Sequence, residues 1–155
     1  MRDIRFIAEH RGGLLTKRHH QELMIWACGC AGHVLPLTGA TTDDRLINAL
    51  IVARDWADGN TTAGEAMKAS ASAHAVAREF TDPVSVAVAR AVGHAAATAH
   101  MADHSLGASL YALKAVRNAG GSAVEEKKHQ NDNLPPEIRD MVLTSRLEKE
   151  RQFRL

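Results

Sequence analysis

Residues 82–118, DPVSVAVARAVGHAAATAHMADHSLGASLYALKAVRN, constrain the fold of this chain more than any other stretch. Ala dominates them, and Ala is the strongest helix former; its short side chain also lets helix backbones approach closely. Asp82 followed by Pro83 has the form of an N-cap with proline at the first helical position. Val84, Val88, Ala91, Val92, Ala95 and Ala99 then give one core stripe. Asp103 stands where a second helix begins, running through Leu106, Leu110 and Leu113 to Asn118, with Gly120-Gly121 as its stop. Two alanine-rich helices meeting at a tight corner are therefore expected, carrying His94, His100 and His104.

The remaining segments arrange themselves around that pair. A short helix is expected from Asp3 to about His10, with Ile4 and Ile7 inward, ended by Gly12-Gly13. Thr16 caps a helix over 17–32 whose Leu23, Trp26, Cys30 and His33 share one side. Thr42 or Asp43 caps a helix over 43–58, with a stripe of Leu46, Leu50, Ala53 and Ala57 broadened by Ile47, Ile51 and Trp56, and Gly59 follows as the C-terminal glycine. Thr62 and Glu65 form the S/T-x-x-E pattern of a helix start, leading to about Phe80. Residues 122–133 are polar and read as a loop. Leu134-Pro135-Pro136 opens a last helix over 137–153, with Ile138, Met141, Val142 and Ser145 against the body.

No alternating run of β-branched residues and no Asn-Gly turn occurs. The expected fold is an all-α, single-domain bundle of six to seven helices with short antiparallel connections. Residues 1–121 form the alanine-rich bundle, and residues 122–155 add a polar loop and a C-terminal helix on the same domain.

Composition narrows the function classes. With 19 basic and 18 acidic residues, no strong field draws the chain to nucleic acid or an anionic membrane. No run is apolar enough for a signal peptide or a membrane span. Cys28 and Cys30 are two apart, about 200° from each other on a helix, and do not form a disulfide with one another. A reducing, cytoplasmic compartment fits. The C-terminal tail, with Arg139, Arg146, Lys149, Arg151 and Arg154 interleaved with Glu137, Asp140, Glu148 and Glu150, reads as a solvated face of i,i+4 pairs.

The sharpest chemical pattern is His100-Met101-Ala102-Asp103-His104. Two histidines four apart on one helix can share zinc, and H-x-x-E-H is a metallohydrolase signature. Here Asp replaces Glu, and Asp103 is also needed as an N-cap, which would interrupt the helix. His94, His100, Asp103 and His104 thus form a candidate metal set, weighed against histidines that simply pack at a helix corner. Cys28, Cys30 and His33 offer further ligands, but no second cysteine pair completes a structural zinc site. There is no nucleophile elbow, phosphate-binding loop or dinucleotide fingerprint, so no catalytic residue is assigned.

Three segments, DDRLINALIVARDWADG, AGEAMKASASAHAVAREF and VARAVGHAAATAHMADHSLGASLYALKAV, together with LPPEIRDMVL near the end, resemble a bacterial family of small all-helical immunity proteins of the immunity-5 type. The resemblance rests most on the turn at 56–59, the His-bearing segment at 91–104 and the segment at 108–115. It implies a non-catalytic protein that neutralises a cognate toxin of a polymorphic toxin system by protein–protein contact, without a cofactor. Such contact needs exposed anchors, for which Trp26, Trp56 and Tyr111 are the aromatic candidates and Asp43, Asp44, Asp55 and Asp58 the acidic ones. Both tryptophans sit on apolar stripes, so burial is the competing role for them. The other readings are a zinc-binding protein or hydrolase at the histidine corner, and a homodimer closed over a small-residue face.

Overall fold

A computed structural model describes residues 2–153 as an all-helical bundle. Seven α-helices are seen among these residues: α1 (Lys17–Val34), α2 (Asp44–Ala57), α3 (Ala63–Glu79), α4 (Pro83–Ala97), α5 (His104–Asn118), α6 (Ala123–Asp132) and α7 (Pro136–Phe153). Four of the capping residues read from the sequence perform as expected, whereas Asp103 makes no cap hydrogen bond to α5. Thr16, Asp43, Thr62 and Asp82 each accept a hydrogen bond from a first-turn amide of α1, α2, α3 and α4. Gly59 follows α2 in the left-handed region, at φ 79°, where a side chain would be strained.

The helix α4 is the axis of the fold. It touches α1, α2, α3 and α5, and Ala87, Val88, Ala89, Ala91, Val92, Gly93, Ala95 and Ala96 are all buried. A helix apolar on every side belongs at the centre of a bundle, and small side chains leave room for four neighbours. Leu23, Met24, Leu46, Val76 and Leu106 belong to the same buried cluster. A cross-link runs from α3, where the Ser70 hydroxyl donates to the Gly93 carbonyl at 2.8 Å.

Three expectations are corrected. Residues 122–133 form α6 rather than a loop; Ser122 accepts from the Glu125 amide, another S-x-x-E start. The first segment is not a helix of 4–10 but two short 3-10 turns, Ile4–Phe6 and Glu9–Arg11, closed by a bridge between Ala8 and Leu15. Phe6 is the residue it buries, while Ile4 is exposed. Ile47 and Ile51 do not broaden the core stripe of α2 but face outward.

The C-terminal helix carries a further departure. Ile138, Met141, Val142 and Ser145 pack inward as expected, but Arg146 is also buried, at 1% exposure. Its Nη1 donates to Ser109 Oγ at 3.3 Å and Gln130 Oε1 at 3.2 Å, and its Nη2 to Asn131 Oδ1. Glu150 lies 3.6 Å from its Nε. One guanidinium thus joins α5, α6 and α7. The tail's Arg154 lies outside the described residues.

Candidate functional site

The corner between α4 and α5 places the four residues of the sequence-derived metal set in different surroundings. The helix breaks after Ala97 and resumes at His104, so His100 and His104 do not share a continuous helix. Met101 N and His104 N bond back to the Ala97 and Met101 carbonyls at 3.1 and 3.0 Å, holding the turn. His100 is exposed. The carboxylate of Asp103 makes no cap hydrogen bond and instead accepts from Arg2 Nε at 3.3 Å. His94 and His104 do meet, with Nδ1 to Nδ1 at 3.2 Å.

A third imidazole joins that pair from α3. His74 stands edge-on to His94, ring centres 5.5 Å apart, and accepts from Arg90 Nη1 at 2.7 Å through its own Nδ1. That bond requires a lone pair on Nδ1, so His74 is neutral with its proton on Nε2. On the far side His94 stacks on Tyr111, and Tyr111 meets Phe153 edge-on. Burial holds all three imidazoles below the usual histidine range, His94 at about 4, and neighbouring basic groups add to it: His104 and His74 at His94, Arg90 at His74, and His100 at His104. Asp103 opposes the shift at His104.

Two glycines make this row possible. A Cβ on Gly93 would lie 2.6 Å from the His74 ring, and one on Gly107 would lie 2.5 Å from His94 Nδ1. Each imidazole of one helix is thus seated on a glycine of the next, His74 of α3 on α4 and His94 of α4 on α5. Among the described residues, no group of three or more His, Cys, Asp or Glu side chains is arranged to hold a metal ion.

The other ligand and anchor candidates are dispersed. Cys28 and Cys30 are free and buried; burial pushes the Cys28 thiol up to about 12 and the Cys30 thiol further up, so neither supplies a ready thiolate. His33 bonds the buried carboxylate of Glu126 at 2.8 Å and stacks on His129. Trp26 and Trp56 are core residues, and the Trp26 indole donates to the Gln130 carbonyl at 2.9 Å. Tyr111 is half-buried against His94.

Exposed apolar side chains are scattered over the surface, among them Leu14, Val124 and Leu147, and three of them lie on α1 and α2. Ile25, Ile47 and Ile51 are exposed at 53, 42 and 53%. Arg54 ties the two helices, its Nη2 reaching the Cys28 carbonyl at 3.5 Å. Ile51 and Ile47 extend from it at i−3 and i−7 along α2, one helical face. Asp44, Asp55 and Asp58 line the same helix; Asp55 and Asp58 stand at its C-terminal end, where the helix dipole disfavours negative charge. Ile47 and Ile51 were misplaced by sequence reasoning because a broad apolar stripe does not say where the core stops.

By architecture this is an all-α bundle built around a buried alanine-rich helix. The chain belongs to the Imm-5 like putative immunity protein family, whose sequence profile matches residues 13–137. No curated protein and no solved structure matches it.

Proposed function

We propose that the chain is an immunity protein that neutralises a cognate bacterial toxin by protein–protein contact in the cytoplasm. The observation that carries this reading is family membership across residues 13–137. The α1–α2 face supports it and is the contact surface in this account. Its exposed isoleucines offer apolar area, and Asp44, Asp55 and Asp58 on the same helix, which form no ion pair among the described residues, favour a basic partner surface. The histidine row is then a packing device, seated on glycines and facing its own neighbours. That no helix among the described residues is long and apolar enough to cross a membrane fits a partner met in solution. A homodimer would use the same exposed face, and toxin binding would compete with it.

Co-expression tests the reading. A toxin domain encoded beside this gene should arrest growth when expressed alone and permit growth when this chain is present. Growth arrest that this chain does not relieve, for every adjacent toxin domain, would sink the proposal.

A further inference from the structure

Helix α1 and the junction of α6 with α7 line a groove of about 380 Å³, which Arg54 of α2 also borders. Its surface is mostly apolar: Ile25, Trp26, Gly29 and Cys30 come from α1, and Pro135 from the junction. Ile25 and Arg54 belong to the α1–α2 face as well, so groove and face are continuous.

Two features of the groove are not accounted for by the chain's own packing. Gly29 stands inside α1, yet it is exposed, and a Cβ there would meet nothing within 4 Å. Its φ is not positive either. Neither contact nor backbone conformation requires glycine, which weakens a helix. The second feature is Glu22. Its Oε1 lies 3.3 Å from Arg18 Nε, while its Oε2 is shut off from solvent without a hydrogen-bond partner. A buried carboxylate oxygen without a donor is unfavourable, and a donor that reaches it relieves that.

Together these features describe a complementary group. Bared helix backbone at Gly29 lets that group lie close against α1, and apolar walls fit the methylene stem of a long side chain. The unmet acceptor requires N–H donors at the tip. A positive tip is favoured, because Arg18 is 76% exposed and compensates the Glu22 charge weakly. Arg54 does not oppose it at close range. Its guanidinium is held at the Cys28 carbonyl, six residues on from Glu22, or roughly 9 Å of helix rise.

We infer that this groove takes one lysine or arginine side chain of the toxin, its stem over Gly29 and Ile25 and its head on Glu22. The inference rests on the toxin-binding reading above and names the anchor within it.

Calorimetry of the full chain against the toxin domain encoded beside its gene, with the toxin's surface Lys and Arg residues changed singly to Ala, tests it. Glu22→Gln should weaken the complex at least tenfold. Gly29→Leu, whose side chain leans back along α1 over the groove, should do the same while raising the melting temperature. The exposed Glu148→Gln variant keeps full affinity. One basic residue of the toxin should cost at least tenfold against the wild-type chain and nothing further against Glu22→Gln. No complex with the wild-type chain would overturn the toxin reading and the anchor together. A complex left at full strength by Gly29→Leu, or a Glu22 coupled to no basic residue of the toxin, would overturn the anchor alone.

Discussion

The ring of His94 occupies the space a side chain would need on Gly107: its Nδ1 lies 2.5 Å from the position of a Cβ there. Gly93 bears the same relation to His74, at 2.6 Å. Both glycines lie inside helices, where Gly is about 1 kcal/mol less favourable than Ala. The helices therefore carry a local cost that closer packing of imidazoles against backbone offsets.

Replacing either glycine should reverse the usual effect of a Gly→Ala change. Propensity alone would stabilise by about 1 kcal/mol, but overpacking costs about 1–3 kcal/mol. Gly93→Ala and Gly107→Ala are each expected to lower stability in urea denaturation. In a Gly93→Ala/His74→Ala double variant the clash is gone, and most of the loss attributable to Gly93→Ala should vanish. Additive effects of the two changes would mean that the ring and the glycine are not coupled.

The imidazole row should make stability fall on the acid side. The pKa of His94 drops from 6.5 in the unfolded chain to about 4 in the fold, and His74 and His104 shift the same way. The unfolded state therefore takes up protons first. Stability is full above pH 6.5 and declines as pH falls through about 4, by no more than roughly 3 kcal/mol for His94. Urea midpoints measured between pH 7.5 and 4.5 should show this slope, and His94→Gln should flatten it. An unchanged slope in that variant would assign the acid sensitivity to other groups.

Arg146 holds three helices together from a buried position, so truncating it should be costly. Arg146→Ala strips partners from Ser109, Gln130 and Asn131, but Glu150 keeps Lys127 at 2.7 Å. Loss of roughly 2–4 kcal/mol is expected, with hydrogen exchange accelerating first in α6 and α7. A surface-like change below about 0.5 kcal/mol would contradict this role.

Much of the architecture was legible because short-range chemistry decides it. Asp43, Thr62 and Asp82 mark helix starts by the amides they satisfy, and Gly59 marks an end by its φ. The helix α6 was hidden by its composition: AVEEKKHQND has no apolar stripe, although Ser122 and Glu125 carried the start signal. The burial of Arg146 was illegible for a related reason, since it depends on Gln130 and Asn131 of that unrecognised helix. At the candidate site, the sequence supplied His94 and His104 but paired His104 with His100. The corner turns His100 outward and brings in His74, twenty residues earlier in the chain, which no local spacing reveals.

Zinc should not be a stoichiometric component of the purified chain. Two of the four residues in the sequence-derived set, His94 and His104, converge; structural zinc takes four protein ligands and catalytic zinc commonly three. Elemental analysis of untagged protein dialysed without chelator is expected to give well under one zinc per chain. Stoichiometric metal lost on His94→Ala or His104→Ala would establish the metal-binding reading instead.

Calorimetric titration of this chain into the purified toxin domain encoded beside its gene tests the central claim most directly. A saturable complex is expected, and Ile51→Arg/Asp55→Arg should weaken it at least a hundredfold while the melting temperature stays within a few degrees. Protection of cells from that toxin without any measurable complex would contradict neutralisation by contact, and full affinity in the double variant would remove the α1–α2 face from the interface.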